Sequence, residues 1–68
     1  MENLAEALPK EQERIRELII RYRDPILKGA GEFAAHMMER SLRHANEAVM
    51  SGDLVAMIKA YKDLNEYE

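Results

Sequence analysis

His36 and His44 are the residues best suited to chemistry in this chain, because histidine both ligates metals and titrates near neutrality. They stand eight apart with Arg40 between them, so an ion shared by both would sit against a guanidinium. Glu32 with His36, and His36 with Glu39, have the spacing of helical ligand pairs, but each pair offers two ligands and no obvious third. The expectation is no metal and no cofactor, with His36 solvated and His44 at the edge of a packed face.

The other reactive side chains lead the same way. Thirteen carboxylates alternate with ten Lys and Arg at pairing distances, whereas general acid and base work needs a carboxyl held in an apolar pocket or against another acid. Ser41 falls among apolar positions and is expected to bond the backbone one turn back; Ser51 reads as turn chemistry. Gly29-Ala30-Gly31 has the look of a phosphate-cradling loop opening a helix. No strand precedes it and no Lys-Ser/Thr follows, so it reads as a tight helix connection. Catalytic residues: none are expected, and the chain is read as non-enzymatic.

Charge narrows the partners. A net charge of -3 gives no general attraction to nucleic acid or anionic lipid. A third helix acting as a DNA reader after Gly52 would open on Asp53 and set Lys59 and Lys62 against Asp63 and Glu66, which a phosphate backbone would repel. The first helix is locally basic: Lys10, Arg14, Arg16, Arg21, Arg23 and Lys28 outnumber Glu11, Glu13, Glu17 and Asp24. Such a patch suits an acidic protein or a small anionic, nucleotide-like ligand.

Sixty-eight residues without cysteine must be stabilised by one small core with no disulfide, which makes oligomerisation the available source of further buried surface. Three glycines, two prolines and an abundance of Ala, Glu, Leu, Met, Lys and Arg place the chain in the all-α class. Leu18 to Ile20 is the longest aliphatic run and Met1 to Ala7 has no basic region, so no membrane span or export signal is expected.

The elements follow from periodicity and punctuation. Residues 1–8 read as a flexible N-terminal arm ending at Pro9, and 9–68 as a single helical domain of three helices, about 9–24, 30–51 and 53–66, expected to be oligomeric. Ile15, Leu18, Ile19, Tyr22 and Ile26 form the inward stripe of the first helix, with Glu17 and Arg21 as a surface pair. Arg16, Ile20, Arg23 and Leu27 form an outward stripe and are the candidates for partner contact. Asp24-Pro25 should break the helix, with Asp24 capping a new turn; whether the second helix begins at Pro25 or after Gly31 stays open.

The second helix carries a broad apolar arc centred on small residues and is expected to be central, with Phe33, Met37, Met38, Leu42 and Val49 as core or subunit-interface residues, core favoured. Gly52 should close it and Asp53 cap the third helix, which turns Leu54, Met57, Ile58, Ala60, Tyr61 and Leu64 inward and leaves Val55 out. The tail from Asn65 to Glu68 is expected to fray.

These residues also carry a resemblance. Leu8-Pro9-Lys10-Glu11-Gln12-Glu13-Arg14-Ile15-Arg16-Glu17, Tyr22, Ala35-His36-Met37-Met38-Glu39, Leu42, Ala45, Ala48-Val49 and Gly52-Asp53-Leu54-Val55-Ala56-Met57-Ile58 with Tyr61 and Leu64 resemble a family of small, functionally uncharacterised helical proteins encoded in bacteriophages and prophages. The resemblance covers nearly the whole chain after the arm and departs at Asp24 to Gly31, as a connecting loop would. It implies a source, in the cytoplasm of a bacterial host, and carries over no catalytic or ligand residue. The expected function is an accessory protein that binds a host or phage partner, in host takeover or anti-defence. A structural or regulatory homo-oligomer and a small-anion binder are the alternatives.

Overall fold

The computed structural model describes residues 2–68. Its elements are α1 (Leu4–Tyr22), a single 3-10 turn (Pro25–Leu27), α2 (Glu32–Ser51) and α3 (Leu54–Asn65), with no strand among the described residues. The all-α three-helix reading holds.

α1 begins five residues before Pro9, which corrects the arm for Leu4 to Leu8. Asn3 caps the helix, its side-chain oxygen accepting from the Glu6 amide at 3.0 Å, and Leu8 is 1% exposed in the core. A proline inside a helix costs about 3 kcal/mol. A buried leucine supplies about 2 kcal/mol and the cap about 1 kcal/mol, so tertiary burial decides the start.

Ile15, Leu18 and Ile19 are buried as expected and Tyr22 is half-buried, but Ile26 lies beyond the helix end and is exposed. The expected Glu17–Arg21 pair is not among the ion pairs of the described residues; α1 instead joins Arg14 to Glu11 and Arg16 to Glu13. At the break, the Asp24 carboxylate accepts from the Ile26 amide at 2.9 Å, and Lys28 and Gly29 turn the chain with φ of 52° and 84°. Gly31 then enters α2, so the second helix starts after the glycines. A Cβ at Gly31 would stand 2.1 Å from the Tyr22 carbonyl oxygen, so only glycine lets the two backbones approach this closely.

α2 packs on both α1 and α3. Its buried face is narrower than the expected arc: Ala35, Met38, Ser41, Ala45 and Ala48 are inside, and Leu42 is partly buried against them. Phe33 (78% exposed), Met37 and Val49 lie outside, which corrects the core assignment for these three. Phe33 and Met37 point about 140° and about 100° around the helix from the buried Met38, and Val49, though near the inward direction, sits in the last turn of α2. The corner to α3 is as expected, with Gly52 at φ 70° and the Asp53 carboxylate accepting from the Ala56 amide at 3.2 Å. On α3, Ala60 and Leu64 are buried and Met57 and Tyr61 half-buried, whereas Leu54 and Ile58, expected inward, are exposed along with Val55.

Cross-helix bonds show the topology: Gln12 donates to Asn46 at 2.7 Å, and Arg14 reaches the Leu64 carbonyl at 2.9 Å. The helices therefore run up, down and up. The tail is docked, contrary to the expected fraying. The Tyr67 hydroxyl donates to the Met37 carbonyl at 3.2 Å and lies 2.9 Å from Ser41 Oγ, which thus bonds the tail and not its own helix. Arg14 donates to the Tyr67 carbonyl at 2.9 Å, and the Tyr22 hydroxyl to that of Glu68 at 2.7 Å. No helix among the described residues is long and apolar enough to cross a membrane.

Gly31→Ala should cost about 2 kcal/mol or more in urea unfolding, since the crowded partner is backbone that cannot move aside cheaply. Gly29→Ala meets open space and should cost about 1 kcal/mol through its positive φ alone. Tyr67→Phe keeps the ring and removes the hydroxyl bonds, for a loss of about 1 kcal/mol in the same measurement.

Candidate functional site

The four residues of the outward stripe are all exposed. Arg16 is ion-paired with Glu13 at 3.1 Å and Ile20 is largely exposed. Leu27, also exposed, belongs to the 3-10 turn beyond the helix end. Arg23 turns to α2, where its guanidinium grips Glu39 through Nη1 and Nη2 at 2.9 and 2.8 Å and reaches Glu32 through Nε at 3.2 Å. The hydrogen bond from Arg23 holds the Glu39 carboxyl below the usual carboxylate range. The bonds that Arg23 donates to Glu39 and then to Glu32 raise its own pKa.

His36 sits over the same pair, 3.2 Å from Glu32 and 3.8 Å from Glu39, and is solvated as expected. Among the described residues, no group of three or more His, Asp or Glu side chains is placed to hold a metal ion. No buried side-chain polar atom among them lacks a hydrogen-bond partner.

Four of the six cations in and just after α1 are ion-paired within the chain. Lys10 pairs with Glu2. Arg14 holds Glu11 through two bonds of 2.9 Å and caps the end of α3, where a cation also suits the helix dipole. With Arg16 and Arg23 also engaged, only Arg21 and Lys28 of the six cations have no ion pair among the described residues.

Two features escaped sequence reasoning. A groove of about 470 Å³ lies between α2 and α3, floored by Ala48, Ala56 and Ala60 and rimmed by His44 and Glu47 on one side and Lys59 and Asp63 on the other. Its only sequence signal is the recurrence of alanine at one-turn spacing on α3, and its depth depends on how closely two helices meet. His44 thus stands on a groove rim. The second feature is the balance of apolar residues: six large ones are in the buried core beside four alanines, while ten are exposed. Six further large apolar residues, Leu4, Tyr22, Leu42, Met57, Tyr61 and Tyr67, are partly buried against that core, and scattered exposed aliphatics are ordinary on a protein surface.

The Arg23–Glu39 pair makes stability depend on pH in one direction. Because folding lowers the Glu39 pKa, its contribution is present above the unfolded carboxylate pKa and is lost as pH falls through the folded value. Glu39→Gln should be less stable than the unaltered protein at neutral pH, and the gap in urea midpoint should close on acidification; a gap that is constant with pH would contradict this. No known protein family, curated protein or solved structure matches the chain.

Proposed function

We propose that the protein works by association, as a non-enzymatic helical module that covers its apolar surface with another protein surface, first of all a second copy of itself. The observation that supports this is that ten large apolar side chains, Phe33, Met50 and Ile26 the most exposed among them, lie in solvent on a domain of 68 residues. Each such side chain contributes about 1.5–3 kcal/mol when removed from water. A domain of this size, with four alanines in its core, gains from an interface what its interior lacks.

A small anionic ligand is the weaker reading, since Arg16 and Arg23, two of the cations it would need, are held by carboxylates of the same chain. In the phage or prophage setting that the resemblance implies, the association serves an accessory role toward a host or phage protein in the bacterial cytoplasm. Static light scattering over a wide concentration range should give a defined dimer or higher oligomer. A monomer throughout would refute self-association.

A further inference from the structure

The outward face of α2 carries both a knob and a socket. Phe33, Met37, Arg40, His44, Glu47 and Ser51 follow one another at spacings of four and three, all are exposed, and all lie within about 60° of Phe33 around the helix. At the N-terminal end of this seam, Phe33 and Met37 project apolar side chains. At the C-terminal end the same seam forms one wall of the alanine-floored groove.

We infer that this face is the subunit interface, in which α2 of one copy lies antiparallel to α2 of a second copy about a twofold axis. Phe33 and Met37 of each then fill the groove of the other. The inference rests on the self-association proposed above and specifies its surface.

Only the antiparallel arrangement joins knob to socket. With the axis near the middle of α2, Phe33 lies opposite Ser51 of the second copy and Met37 opposite Glu47, both beside Ala48 on the groove floor, and the contact is made twice. A parallel pairing would stack knob on knob and leave both grooves open.

Charge selects the same arrangement. Neither Arg40 nor Glu47 takes part in an ion pair among the described residues. In the antiparallel register Arg40 lies opposite His44 of the second copy and about one helical turn from both Glu47 and Arg40 of that copy, whereas a parallel register sets Arg40 directly against Arg40 and Glu47 directly against Glu47.

Sedimentation of the full chain tests the surface separately from the association. Phe33→Glu should weaken the dimer by about a hundredfold or more, with an unchanged helical circular dichroism spectrum because Phe33 is outside the core. Arg40→Glu and Glu47→Arg should each dissociate it, and the double exchange should restore it. Ile20→Glu, on the outside of α1, should leave the dimer intact. If the unaltered chain is monomeric, this inference fails together with the association reading. If it is dimeric but Ile20→Glu disrupts it while Phe33→Glu and the charge exchanges do not, the association stands and the α2 surface is wrong.

Discussion

The missing Cβ of Gly31 sets the geometry on which the rest of the molecule depends. It lets the backbone entering α2 rest against the Tyr22 carbonyl, and this contact at the end of α1 fixes the angle at which α2 returns. From that angle follow the meeting of Gln12 with Asn46 further along the pair and the reach of Arg23 to two carboxylates on α2. The alanines of α2 extend the same logic along the helix. Ala35, Ala45 and Ala48 line the buried face of α2 beside Met38, while Phe33, Met37, Val49 and Met50 stay exposed.

The charge pattern has a related economy. Arg14, Arg16 and Arg23 are each met by an acid of the same chain, so the local positive character read from α1 does not survive folding as a free basic surface. Such exposed pairs contribute little individually to stability. Arg14 is the exception in kind, because its guanidinium also donates to the Leu64 and Tyr67 carbonyls at and beyond the end of α3.

What could be read from the sequence was what is local in sequence. The Asp24 and Asp53 caps, the proline break and the Gly52 corner depend on residues within a turn of one another, and they stand where periodicity and turn chemistry put them. Pro9 misled because its local cost is offset by the Asn3 cap together with burial of Leu8 in the core, and the burial is not visible locally. Phe33 and Val49 misled because hydropathy gives the width of an arc and not the distance at which neighbours stop. The docked Tyr67, the partners of Arg23 and the groove were illegible for one reason. Each exists only after helices distant in sequence have met.

The bond from Arg14 to the Tyr67 carbonyl spans 53 residues, the largest separation of any hydrogen bond among the described residues. The helices themselves and the short links between them are made of near neighbours, contacts that form quickly in a folding chain. The Arg14 contact must close nearly the whole chain into a loop and therefore bears the largest entropic cost. Arg14 thereby ties the last residues of the sequence back to its first third, across Leu64, which is fully buried at the end of α3.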